Sequence, residues 1–515
     1  MEEHSIISGK RIAKNTVLLY IRMMVVMVLN LFTVRLVLKA LGAEDYGIFD
    51  VVAGVVTMMQ ALSTVIGSST SRYVAFYLGE RNISKVNEVF SNGLFIFGFF
   101  SLLIIILGET IGLWFINNQL VIPPERLAAA NWVFQFAILS FLCSIMQSPF
   151  FSVVTAHEDI NIFAVITTSD CVLKFLFALS IPYIAFDHLI YYASYLFVIP
   201  LLCLLAYIII SKKKYDECKT VAKPTKEIFS MMSFSGWMLF ASLAGVCMMQ
   251  VNSIIVNVFF GPIVNAARAI AIQLHNAVNS FSSSFLTAIK APIIKSFSDK
   301  DFSHLDKIFD ASNRFIIYSL LIICIPLWLE MDTILKVWLS VTDEETILFA
   351  RLMIGYTFVM ALNNPISFVM QATGRIKEYH TKVEIPTLLC MPVTYLLFLI
   401  GLPAFTTFIV MIFAAFTSHI IRMFCLKKYY KRFSFKHYLL RIILPAIVIG
   451  CIGTIISLFV HKIVAVSLLR LLLVTATSIA LVMPMAYFVG FSSYEKEMIT
   501  KYVVLIKKRV IKRDE

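Results

Sequence analysis

Charge is scarce in this sequence. Only 15% of its 515 residues are Asp, Glu, Lys or Arg, against about 25% in a soluble globular chain. An ordinary water-soluble protein is excluded. The nine cysteines form no C-x-x-C pair, so neither a disulfide framework nor a zinc site is indicated. All but Cys218 lie in apolar runs and read as small packing residues. Nucleotide loops, H-E-x-x-H and G-x-S-x-G signatures are missing. His157, His275 and His380 are isolated. No connector is long enough for a soluble catalytic domain. The chain is expected not to be an enzyme and to carry no cofactor; any uphill transport would use an H+ or Na+ gradient.

What is abundant is apolar sequence: 59% hydrophobic, with a mean hydropathy of +0.86. About twenty apolar residues span a bilayer as a helix. Fourteen spans are predicted, with cores near 15–38, 48–74, 89–113, 130–155, 162–185, 189–211, 232–258, 267–294, 315–335, 349–372, 387–402, 405–426, 442–460 and 470–490. The runs are continuous rather than alternating, which excludes a barrel. The expected fold is an all-α polytopic membrane protein. The first 14 residues are polar and lead into a span too long for a cleaved signal.

The formal charge of +13 need not mean nucleic acid. With the N-terminus placed inside, the inner segments hold 31 Lys and Arg, the outer turns and flanks 7, and the spans 6. That bias is the positive-inside pattern. It predicts both termini in the cytoplasm, with a basic amphipathic tail on the inner leaflet.

The stretch 41–90 recurs 219 positions later. Gly42 aligns with Gly261, Gln60 with Asn279, and Asn82 with Asp301. At an offset of 216, Pro149 meets Pro365. Spans 1–6 thus correspond to spans 7–12 as parallel repeats. The expected organisation is an N-terminal lobe (1–218), a C-terminal lobe (219–440), and spans 13–14 with the basic tail (441–515). In repeat-built transporters the substrate site lies at the repeat interface.

Polar residues inside the spans supply candidates. Gln273, Asn276, Ser280, Ser283, Thr287 and Lys290 form one stripe at 100° per residue. Thr57, Gln60, Thr64, Ser68 and Ser71 form the matching stripe of span 2. Asn15, Arg22 and Thr33 share a face of span 1; Gln250, Ser253 and Asn257 share one of span 7. Small-residue packing with interhelical hydrogen bonds is the competing reading. Arg22, Arg72 and Lys290 fall toward the inner side, Lys174 near mid-span, and Arg268 near an outer end. A cationic cavity suits an anionic substrate, since guanidinium forks match phosphate oxygens. Arg72 at a helix end, and Arg35 and Arg422, also fit snorkelling to headgroups. Asp170 and Lys174, four residues apart, are either a neutralising pair or an ion-coupling site. Glu109, Glu330 and Asp332 read as interfacial.

The segment LGAEDYG, the helix ending TSRYVAFYLGERN and the overall architecture resemble the Wzx-type O-antigen and capsule flippases. These belong to the multidrug/oligosaccharidyl-lipid/polysaccharide exporter superfamily. AHEDINIF departs from that family's A-x-G-R loop, whereas ATGRIKEY keeps it. The resemblance implies two six-helix lobes plus two helices in a bacterial inner membrane. It implies flipping of an undecaprenyl-pyrophosphate-linked oligosaccharide by alternating access, for lipopolysaccharide, O-antigen or capsule biosynthesis. Arg22, Arg72 and Lys290 would then bind pyrophosphate, with Lys174, Arg268, Gln60, Gln273 and Asn276 as further substrate contacts. Membrane lipids, a polysaccharide polymerase and a chain-length regulator are the implied partners, and no nucleic acid. A cation-coupled drug antiporter of the same superfamily is the alternative; it calls for carboxylates deep in the N-terminal lobe, where Asp170 is the candidate.

Overall fold

The computed structural model describes the backbone of residues 2–57, 70–71, 73–74, 77–78, 80, 82–157, 159–225, 227–340, 342–497 and 500; side chains are not described for 2–24, 160, 227, 229–242, 283–288, 291, 298 and 376. All regular structure among these residues is helical. The order is α1 (Glu2–Thr57), α2 (Ile83–Leu107), α3 (Leu127–Ala156), α4 (Ile160–Ser180), α5 (His188–Lys214), α6 (Glu227–Ser298), α7 (Phe302–Leu329), α8 (Met331–Leu339), α9 (Glu344–Ala372), α10 (Ile376–Leu399), α11 (Thr406–Tyr429), α12 (Leu444–Ile463) and α13 (Leu468–Met485). Twelve described stretches are long and apolar enough to cross a membrane. Two of them carry a kink, at Gly42 and Gly261, so the described residues supply fourteen helical arms. The chain is an all-α, multi-pass membrane protein. Helices dominate because hydrocarbon offers backbone groups no partners outside their own segment.

The kinks explain why two long helices each count as two spans. Gly42 has φ 79°, ψ 173°, and Gly261 has φ 81°, ψ −178°. That region is essentially restricted to glycine. The two residues are aligned in the repeat, so the sequence recurrence has a conformational counterpart. A second one follows. Asn82 caps α2 by accepting from the Lys85 amide, and Asp301 caps α7 by accepting from the His304 amide.

The chain divides into two compact units, Met1–Ala269 with Thr394–Ala404, and Ile270–Val393 with Phe405–Glu515. In the first, α3 packs mainly on α5, and α1 on α4 and α3. Arg126 clamps one end, bonding Asp45 and Asp187 at 2.6 Å each. Burial opposes ionisation of Asp187, but Arg126 and the amides of Ile190 and Leu189 outweigh it and hold the carboxyl below its usual range.

In the second unit α9 packs on α11 and α7, while α12 and α13 pack on each other and on α7. Ion pairs fasten this arrangement. Glu330, fully buried, accepts from Arg470 at 2.9 Å and meets His461 at 2.8 Å. Arg470 also reaches Asp332 at 3.1 Å. Arg314 bonds Glu495 at 2.8 Å. Glu330, just past the end of the Phe302–Leu329 span, neutralises a buried arginine, because an unpaired charge there would be prohibitively costly. The snorkelling expectation is corrected for Arg422. It does not snorkel; it is buried and donates to Ser367 at 2.8 Å, over the ring of Tyr379.

Candidate functional site

The polar stripe following Gly261 is partly described. Gln273 is half-buried, Asn276 exposed, and Ser280 donates to the Asn276 carbonyl at 2.7 Å. Lys290 is exposed, with its ammonium 5.9 Å from the centre of the Phe368 ring. Among the described residues it has no carboxylate partner. The opposite side of this helix is anchored by His275, which meets the Thr357 hydroxyl at 2.8 Å. Ser283 and Thr287 belong to the stripe by sequence, and their side chains lie outside the described residues.

Other candidates share that limit in whole or part. Gln60 and Arg72 lie outside the described residues, as do most of the span-2 stripe and the side chain of Arg22. Ser71, at the end of that stripe, meets Thr155 at 3.2 Å. Thr33 and Thr57 donate to carbonyls of their own helix. The span-7 face resolves in favour of packing. Ser253 and Asn257 are buried, and Asn257 accepts from the Val121 amide at 3.0 Å.

Lys174 and Asp170 form a pair at 2.8 Å, each about 30% exposed at the side chain. Lys174 lines a small chamber of about 240 Å³ with Thr57, Ser140 and Ser144.

Arg268 is 1% exposed and donates to the Met249 carbonyl. It also acts through space on Asp50. Asp50 accepts from Ser253 at 3.0 Å and from the Asn265 amide at 3.2 Å. Asn265 further donates to the Gly47 carbonyl at 3.3 Å. This knot joins the arm after Gly42 to both arms flanking Gly261. Sequence reading missed Asp50, so Asp170 is not the only membrane-embedded carboxylate of the first unit. The available signal was an acid only eight residues beyond the first kink, followed by a run that is apolar as far as Thr57. Its partners sit more than 200 positions away, which no local pattern joins.

The AHEDINIF loop is held by its own charges. His157 meets Glu217 at 2.6 Å, and Asp159 meets Lys214 at 2.7 Å and Tyr215. Burial raises the Asp159 carboxyl, yet Lys214 and Tyr215 prevail and keep it below the usual range. The second copy turns instead at Gly374, with φ 72°. No described group of His, Cys, Asp and Glu could hold a metal.

Residues 12–298 match the polysaccharide biosynthesis protein family. The chain belongs to that family. Solved structures agree with this family member's fold at low identity. A lipid II flippase, MurJ in an inward closed conformation, is 14% identical with a TM-score of 0.62, over 94% of this chain and 100% of its own. An inward-facing multidrug resistance MATE transporter of the MOP superfamily is 14% identical with a TM-score of 0.61, over 81% and 99%. The eukaryotic MATE transporter AtDTX14 is 11% identical with a TM-score of 0.59, over 81% and 95%. No curated protein matches the chain in sequence. The family member thus has the fold of membrane transporters and flippases.

Proposed function

We propose that this protein flips an undecaprenyl-pyrophosphate-linked oligosaccharide from the inner to the outer leaflet of a bacterial inner membrane, by alternating access, in O-antigen, capsule or other exopolysaccharide synthesis. One observation carries the reading: in a polysaccharide biosynthesis family member with a flippase fold, the helix that runs to Ser298 carries an exposed Lys290 beyond the polar side chains of Gln273, Asn276 and Ser280. A cation on a polar helix face is the chemistry a pyrophosphate with attached sugars calls for. Arg22, Arg72 and Lys290 bind the pyrophosphate, and Gln60, Gln273 and Asn276 solvate the sugars. Lys174 is a further cationic contact. Arg268, buried in this structure, is another. The lobes are those of the repeat, both termini face the cytoplasm, and a polymerase with its chain-length regulator takes the product.

The test is Arg22→Ala combined with Lys290→Ala, at matched protein level. Lipid-linked oligosaccharide should accumulate on the inner leaflet, with surface polysaccharide reduced at least about tenfold, as for loss of charge-assisted phosphate bonds. Unchanged surface polysaccharide sinks the assignment.

Asp50 and Asp170 in membrane helices favour a second reading, a cation-coupled antiporter. It predicts drug efflux that collapses with the ion gradient and with Asp50→Asn, and no accumulation of lipid-linked sugar on deletion.

A further inference from the structure

Two cavities in the first unit adjoin. One is a groove of about 530 Å³ lined by apolar side chains and glycines, including Val55, Ile104, Ile111, Phe134 and Ile254. Its size suits a single small-molecule or lipid-chain ligand, for which sites of about 300–1,000 Å³ are usual. The other is the chamber of about 240 Å³ that contains Lys174, Ser140 and Ser144. Val56 lines both.

The groove is built by a local irregularity. The helix of α2 continues through a π-turn at Gly108–Gly112, a distortion frequent at functional sites. Both end glycines lie flush on α3. A Cβ on Gly108 would come 2.6 Å from Ile138, and one on Gly112 2.5 Å from Phe134. That close approach forms the floor, while Ile111, 59% exposed, stands at the mouth. An apolar trough that shares the wall residue Val56 with a chamber holding one ammonium is complementary to an amphiphile with one anionic end.

We propose that this pair of cavities binds one polyprenyl phosphate, its isoprenoid chain in the groove and a phosphate oxygen at the Lys174 ammonium, in place of Asp170. The inference rests on the reading above for the choice of a polyprenyl rather than an acyl chain. It adds a place for the lipid portion of the substrate within the first unit. Asp170 neutralises Lys174 when the chamber is empty.

The test uses full-length protein in phosphatidylcholine nanodiscs and a polyprenyl phosphate bearing a terminal photo-crosslinker. Labelling should saturate, map to residues 104–115 and 134–138, and be competed by unlabelled polyprenyl phosphate but not by phosphatidic acid. Ile111→Trp, or Leu107→Phe if the first variant is unstable, should cut labelling by about tenfold, the loss expected from blocking one well-packed apolar contact. Lys174→Gln should weaken polyprenyl phosphate and leave the neutral polyprenol unchanged. Diffuse labelling of lipid-facing helices in the wild type, or equal competition by phosphatidic acid, overturns the proposal: the groove then holds ordinary bilayer lipid. Normal oligosaccharide flipping with diffuse labelling removes this site alone. Mapped labelling without flipping removes the proposed function and keeps the site.

Discussion

The corners at Gly42 and Gly261 have nearly the same backbone and different chemistry. Both glycines are in the positive-φ region, and a Cβ on either meets nothing within 4 Å. Five residues on, the copies diverge. The first has Gly47, where the second has Ala266. A Cβ on Gly47 would lie 1.9 Å from the carbonyl oxygen of Pro262, so the first corner is shaved where the second presses against it. The charges diverge as well. The first arm carries Asp50, and the second carries Asn265 and Arg268, which act on that acid. The two corners share a backbone, and their chemistry is complementary rather than repeated.

The largest expected effect comes from filling the contact. Gly47→Ala should cost more than about 4 kcal/mol, the range of severe backbone and packing lesions, and show as loss of the monodisperse peak on size exclusion. The reciprocal Ala266→Gly should cost only about 1 kcal/mol of helix stability. Equal damage from both would remove the asymmetry argued here.

Next comes the charge. Arg268→Met should destabilise by roughly 1–3 kcal/mol, the cost of a lost buried polar partner, because it removes the guanidinium that bonds the Met249 carbonyl and acts on Asp50. Asp50→Asn added to it should recover part of the loss. Thermal unfolding of the two variants and their combination measures the coupling, and strict additivity would mean the two side chains do not interact.

Gly42→Ala and Gly261→Ala should each cost about 1–3 kcal/mol, the cost of an L-residue in that backbone region. The two values should agree, since neither site has a steric neighbour. A large difference in unfolding midpoint would show that the corners differ in backbone as well as chemistry.

The smallest effect is at the Arg126 clamp, which pairs Asp45 of the first corner with Asp187 and has no aligned counterpart, because position 264 is Val. Asp187 has its carboxyl depressed from 3.8 in the folded state. Its stabilisation is full above the unfolded value and is lost as pH falls through the lower folded value. Asp187→Asn should flatten the acid limb of a stability–pH curve by up to about 1 kcal/mol, a modest figure because the pair is partly exposed.

Much of the fold was legible from sequence. Continuous apolar runs marked the helices, and the recurrence of Gly42 at Gly261 fell in the breaks between spans, which the structure realises as kinks. The stripe of half-buried Gln273 and exposed Asn276 and Lys290 was legible as well: helical periodicity places side chains on a face. The buried ionic groups were not. Glu330 sits near the end of an apolar run, and nothing local shows that Arg470, 140 residues later, closes on it. Arg422 looked like a snorkelling residue until Tyr379 and Ser367 enclosed it. Asp50 carried no local mark of its dependence on Asn265 and Arg268.

The sequence by itself determined that this is a helical membrane protein, poor in charge and with polar faces on some of its helices. Those properties follow from composition and from periods of one or two turns, which a chain carries wherever it folds. The tertiary structure alone decided which polar groups satisfy one another and which stay exposed. It closed Asp50, Glu330 and Arg422 into networks, and it left Lys290 open. Burial makes that sorting obligatory, and burial is created only when distant helices meet.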